Sequence, residues 1–272
     1  MHPTNKLPQL ALYTLGVSAM IVFAFYDLEI SKFLYHPQSL FGAIVNSIGE
    51  WPNSLAMIFS GCVLFGGRNR WSTHPVREWL GALPVFVGVG ILFLYTWHYT
   101  FRSWPSLWVS VLVILLGGIL LLLLFGSGDP YTYRRLRGIA LTALLLSIFA
   151  ILSVNIVKVI WGRVRFFDML PDCAAFTPWY LPQGFTGNAS FPSGHTANAC
   201  TSLILWLFAD RANHPTVRKI LYVIPVIWIA LVAVGRVIYG AHFASDVTAS
   251  ILLCTSAFGF IRKGMMAGHV GR

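Results

Sequence analysis

The chain has 272 residues, 57% of them hydrophobic and only 10% charged, with a formal net charge of +10. A soluble domain carries about 25% charged residues, so this composition excludes an ordinary water-facing surface and points to a bilayer. No basic run exceeds two residues, and the basic side chains sit between apolar blocks. That pattern fits membrane topology and excludes a nucleic-acid surface as the source of the charge.

Apolar blocks follow one another at 9–27, 53–67, 79–99, 107–126, 138–157, 195–209, 219–235 and 246–261. A span needs about 20 residues, and the blocks at 53–67 and 195–209 fall short of that. In lipid a helix satisfies its own backbone groups, and the alternation of a membrane barrel is absent. The expected fold is therefore all-α: a polytopic membrane helix bundle of about eight transmembrane helices, with six or seven as the fallback, forming one domain over residues 1–272. The opening MHPTNK precedes an apolar stretch with no A-x-A-like cleavage site and reads as the start of a retained helix. Cys62, Cys173, Cys200 and Cys254 show no metal-ligand spacing and no disulfide framework.

With both termini cytoplasmic, the inner side carries Lys6, Arg68, Arg70, Arg77, Arg134, Arg135, Arg137, Arg211, Arg218, Lys219, Arg262, Lys263 and Arg272. The outer side carries Lys32, Arg102, Lys158, Arg163, Arg165 and Arg236. The bias obeys the positive-inside rule and exposes an exception. Four of the outer cations crowd 158–165 and 236, where topology does not require them. The outer loop 158–194 is also rich in aromatics, among them Phe166, Phe167, Phe176, Trp179, Tyr180 and Phe185. These read as an interfacial belt and as a rim that admits lipid.

Three segments meet on that outer side. Lys158 and Arg165 lie seven residues apart and would share a face if the fifth helix continued through both; two fixed cations suit a phosphate, although snorkelling at a helix end would also place them there. Pro192-Ser193-Gly194-His195 opens the sixth block, where helix-start amides favour an anion and His195 adds a titratable proton; the plainer alternative is an N-cap with an incidental histidine. In the third segment, Arg236 precedes His242 and Asp246. The latter two are four apart and would touch on a helix, the carboxylate fixing the imidazole tautomer so that the other nitrogen can act as nucleophile or base. A capping Asp beside an unrelated His is the plain reading of that segment.

Together these residues resemble the type 2 phosphatidic acid phosphatase superfamily. That family's first motif is Lys, six residues, then Arg-Pro; its second is Pro-Ser-Gly-His; its third is Ser-Arg, five residues, His, three residues, Asp. The chain matches at Lys158 and Arg165, at Pro192 to His195, and at Arg236, His242 and Asp246, a stretch of 158–246. It departs at Phe166, where the family has Pro, and at Gly235, where it has Ser. The resemblance implies a six-helix phosphatase core, with the blocks within 79–126 an extra hairpin. It also implies a metal-independent, cofactor-free phosphatase. His242 would attack phosphorus to form a phosphohistidine, Asp246 would orient it, and His195 would serve as acid and then base. Lys158, Arg165, Arg236, Ser193 and Gly194 would hold the phosphoryl oxygens, with Arg163 as an extra cation. The implied partners are the lipid bilayer and a lipid phosphate: an isoprenyl diphosphate, phosphatidic acid or phosphatidylglycerol phosphate, or a lipid A-type glycolipid. The expected location is a bacterial inner membrane with the site on its periplasmic or extracellular face. A lipid phosphotransferase would share the phosphohistidine. An anion transporter would need a second charged cluster on the inner side, and a soluble haloperoxidase is at odds with the apolar blocks.

Overall fold

The computed structural model describes residues 7–68, 75–126 and 128–270; Lys6, Arg70 and Arg272 lie outside the described residues. Among those residues the regular structure is entirely helical, at 77% helix with no strand. In chain order the helices are α1 (Leu7–Leu34), α2 (Leu40–Ile48), α3 (Trp51–Gly66), α4 (Pro75–Leu80), α5 (Leu83–Phe101), α6 (Leu107–Gly126), α7 (Pro130–Trp161), α8 (Gly194–Cys200), α9 (Leu205–Ala209), α10 (Pro215–Ile238) and α11 (Ala244–Val270). A 3-10 turn, Thr201–Ile204, joins α8 to α9.

Every apolar block is thus largely helical, and the chain is a polytopic helix bundle. Six helices are long and apolar enough to cross a membrane: α1, α5, α6, α7, α10 and α11. The two blocks that fell short in the sequence remain short, α3 at 16 residues and the α8–α9 stretch interrupted by its 3-10 turn. The third block begins later than its hydropathy suggests, because α4 breaks from α5 at Ala82 and Pro84 sits in the first turn of α5.

Local chemistry sets the ends that matter for the site. Asp129 caps α7, accepting from the Tyr131 and Thr132 amides at 3.1 and 3.0 Å, and Pro130 occupies the first turn. Gly162 stops the same helix in the left-handed conformation (φ 58). A Cβ there would lie 2.1 Å from the Gly184 carbonyl oxygen, so only glycine fits. The bundle centre is built from small and aliphatic residues: Ala143, Leu146, Ala150 and Val154 of α7 against Ala197 and Cys200 of α8 and Cys254 of α11. Small residues let backbones approach closely where lipid removes the usual hydrophobic drive. All four cysteines are buried and free.

Helix direction alternates, so the ends of α1, α5, α7 and α10 and the starts of α3, α8 and α11 gather at one pole. The opposite pole carries the basic residues of early α7, of the α9–α10 connection and early α10, and of late α11. There Arg262 pairs with Asp210 at 2.6 Å and Arg211 reaches the Arg135 carbonyl at 3.4 Å. The α5–α6 hairpin packs on α3, and its α5 limb reaches the functional pole.

Candidate active site

At that pole lies a cavity of about 250 Å³. Lys158, Arg165, Gly194, His195, Arg236 and His242 all line it. Three motifs separated by up to 84 positions in sequence therefore converge on one space. The route differs from the helix-face expectation in two places. The α7 helix does not continue from Lys158 to Arg165. It ends at Trp161, and the Gly162 turn swings Arg165 to the start of the 3-10 turn Phe166–Met169. Likewise, His242 precedes α11 and is not helical.

His242 is fixed chiefly by a backbone group. Its Nδ1 lies 2.7 Å from the Ser190 carbonyl, whereas the nearest Asp246 oxygen is 3.6 Å away, beyond hydrogen-bond range. Asp246 instead braces the surroundings. Its Oδ2 accepts from the Ser190 hydroxyl at 2.6 Å and from the Phe243 amide at 2.9 Å. The latter contact ties the first turn of α11 back to the residue before it, as in a capping box. With Nδ1–H donated to a carbonyl, the nitrogen left with a free lone pair is Nε2. Burial drives the His242 imidazole well below its ordinary pKa, with Arg236 and Lys158 adding to the effect against the pull of Asp246. Burial thus favours the neutral ring, whose lone pair is free to react.

Arg163 lies outside the cavity's lining. It is 1% exposed, and its whole fork is engaged. Nη1 donates to Asp246 Oδ1 (2.6 Å) and Ser245 Oγ (2.8 Å), Nη2 to Asp27 Oδ2 (2.9 Å), and Nε to the Thr177 carbonyl (2.9 Å). Sequence reasoning left this cation as an extra beside the phosphate ligands; its geometry makes it a staple between α1, the outer loop and α11. Ser193 is fully buried as the N-cap of α8, its Oγ accepting from the Thr196 hydroxyl (3.0 Å) and amide (3.4 Å), and it is not among the residues that line the cavity.

Arg236 behaves differently. It is 4% exposed, and Nη1 donates to the Asn46 side-chain oxygen, yet its Nε has no hydrogen-bond partner among the described residues. A buried guanidinium with an unused donor beside Lys158 and Arg165 has the chemistry to take an anion, since desolvated cations need a counter-charge. Among the described residues no cluster of three or more His, Cys, Asp or Glu side chains could hold a metal ion.

Sequence reading missed three participants. Glu50, at the α2–α3 corner, pairs with His195 Nδ1 at 3.0 Å, and the Asn46 carbonyl lies 2.9 Å from His195 Nε2. Tyr99 of α5 sets its ring edge-on to His195, centroids 4.8 Å apart, so the hairpin expected as an insertion walls the site. Burial, then Arg236, lowers the His195 pKa, with Glu50 opposing. Burial would raise the Glu50 carboxyl, but His195, Arg236 and Lys158 outweigh it and hold it below the ordinary carboxylate value.

One buried and two half-buried cations with two histidines, inside an all-helical bundle of apolar spans, fit a membrane protein of the phosphatase type. Residues 138–267 match the family model of the PAP2 superfamily, the type 2 phosphatidic acid phosphatases, and this segment of the chain belongs to it. The match contains all three motifs and leaves the α1–α6 half outside. No curated protein and no solved structure matches the chain.

Proposed function

We propose that the protein is an integral-membrane lipid phosphatase that cleaves a phosphomonoester or diphosphate on a lipid through a phosphohistidine at His242, without a metal ion. The observation that carries this reading is the unused Arg236 Nε, buried in a cavity shared by Lys158, Arg165, His195 and His242. In this reading the three cations hold the phosphoryl oxygens and stabilise the charge that spreads over them in transfer. The neutral His242 Nε2 attacks in line. His195 protonates the leaving oxygen and then activates water. The site opens at the outer face, in keeping with the basic residues at the opposite pole. The bilayer supplies substrates of isoprenyl diphosphate, phosphatidic acid, phosphatidylglycerol phosphate or lipid A type.

The test is phosphate release from purified protein in detergent, across those lipid phosphates, with EDTA present. Wild type should turn over and His242→Ala should not. Turnover by His242→Ala would sink the nucleophile assignment, and loss of wild-type turnover in EDTA would sink the metal-free chemistry.

A further inference from the structure

The α2–α3 corner belongs to the half of the chain outside the family match, yet it grips two site residues. Asn46 takes Arg236 on its side chain and His195 Nε2 on its carbonyl, and Glu50, one turn on, takes His195 Nδ1. Glu50 is the N-cap residue of α3, but its side chain makes no capping bond. Its carboxylate is thus not spent on the helix. It is only 12% exposed, a costly place for a charge without a purpose in an apolar bundle.

The contacts fix a proton count. Both ring nitrogens of His195 face acceptors: a carboxylate at 3.0 Å and a carbonyl at 2.9 Å. A neutral imidazole has one N–H to donate. The pair of contacts therefore requires one proton more than a neutral His195 and an ionised Glu50 carry between them. That extra proton is what a general acid must hold before it can give one away.

We propose that Glu50 is the positioning residue of the acid: it binds Nδ1–H of His195, favours the doubly protonated ring over the neutral one, and leaves Nε2–H to be delivered to the leaving oxygen. The proposal rests on the phosphohistidine reading above. As His242 Nε2 bonds to phosphorus and the ester P–O bond breaks, Nε2–H of His195 leaves the Asn46 carbonyl and its proton passes to the departing oxygen. His195, now neutral, takes a proton from water as the water oxygen bonds to phosphorus and the P–N bond breaks. That returns His195 to its charged state and His242 to its neutral one. The titratable and charged groups that share the cavity with His195 are Glu50 from the α2–α3 corner, Tyr95 and Tyr99 from α5, Lys158 from α7, Arg165, Arg236 from α10 and His242. Glu50 is the one carboxylate among them, so it opposes a site otherwise built to expel the proton.

The experiment compares wild type with Glu50→Gln and Glu50→Asp in detergent, reading kcat/KM, which reports steps up to phosphoenzyme formation. An alkyl lipid phosphate needs its leaving oxygen protonated; p-nitrophenyl phosphate does not. Glu50→Gln should lose about 100-fold or more on the lipid and less than about tenfold on the aryl ester, the scale of general-acid catalysis. The basic limb of its pH profile should move to lower pH, because the anion that raises the acid's pKa is gone. Glu50→Asp, which keeps the charge one methylene farther away, should place that limb between the two. An equal loss on both substrates, no loss on either, or a Glu50→Asp limb at or above the wild-type position overturns the proposal. Since Glu50→Asp is decisive by itself, the test survives a Glu50→Gln variant that fails to fold. His242→Ala in parallel separates the two ideas: turnover there removes the phosphohistidine, whereas a dead His242→Ala beside an insensitive Glu50→Gln removes only the role of Glu50.

Discussion

Arg163 provides the sharpest test of how the site is held. One guanidinium answers two buried carboxylates, Asp27 at 2.9 Å and Asp246 at 2.6 Å, each about 1% exposed or less. Removing one partner of a buried pair costs about 3–5 kcal/mol, because the remaining charge is left uncompensated. Arg163→Met strands two, and also frees the Thr177 carbonyl and Ser245 hydroxyl, so the upper end, about 5 kcal/mol, is expected. That is a large share of the roughly 5–15 kcal/mol that separates folded from unfolded states. Thermal unfolding of the detergent-purified variant, followed by tryptophan fluorescence, should show a steep loss of stability. Asp27→Asn in the Arg163→Met background should then cost much less than Asp27→Asn alone, with a coupling of about 0.5–3 kcal/mol or more. An Arg163→Met protein within about 0.5 kcal/mol of wild type, the range of an inert surface change, would refute the staple. So would strict additivity of the two substitutions.

Two further outcomes follow from the packing and the topology. A Cβ at Gly235 would meet Val45 Cγ1 at 2.7 Å and its Cβ at 2.9 Å. Gly235→Ser, which restores the family's residue, should therefore cost about 1–3 kcal/mol by overpacking and lower activity, and Val45→Ala added to it should recover most of both in the same unfolding and phosphate-release assays. Because the four native cysteines are buried, a cysteine at the exposed Gln183 should be the reactive one. A membrane-impermeant maleimide should label Gln183→Cys in intact cells, and labelling only after lysis would reverse the proposed orientation.

The parts of this molecule that were legible in the sequence are those carried by local, repeated or short-range patterns. Six of the eight apolar blocks became helices long enough to cross a membrane and the other two shorter helical stretches, because a chain in lipid has to close its own hydrogen bonds within each segment. Lys158, Arg165, Gly194, His195, Arg236 and His242 were legible because their spacing is a motif. Contacts made across long separations were not. Asp27 reaches Arg163 across 136 positions, and Asn46 reaches Arg236 across 190; no periodicity records such a meeting. A usable signal existed nonetheless. The chain has only nine acidic residues, and Asp27 and Glu50 lie in or beside apolar blocks, where a carboxylate needs a partner. Helix-face arithmetic also misled where the helix stopped: Gly162 ends α7 between Lys158 and Arg165, and the pair meets through the turn instead.

The two departures from the family pattern gain a physical reason from the same half of the chain. Gly235 is glycine because Val45 of α2 lies against it, and Val45 is stiff at χ1 and cannot turn aside. Phe166, in place of the family's proline, is 1% exposed and packs edge-on to Tyr35 at 5.1 Å and against Phe243 at 6.2 Å. The turn that carries Arg165 is thus anchored by an aromatic cluster that includes Tyr35, from just after α1, where a proline would have stiffened the backbone itself. Residues from the first fifty positions therefore occupy the space of the missing serine, anchor the Arg165 turn, and grip Arg236 and His195. The motif segment brings the cations and histidines that line the cavity, but the N-terminal helices set where they stand. A transplant of 138–267 onto another superfamily member's N-terminal half would have to carry Val45, Asn46 and Glu50 with it to keep that arrangement.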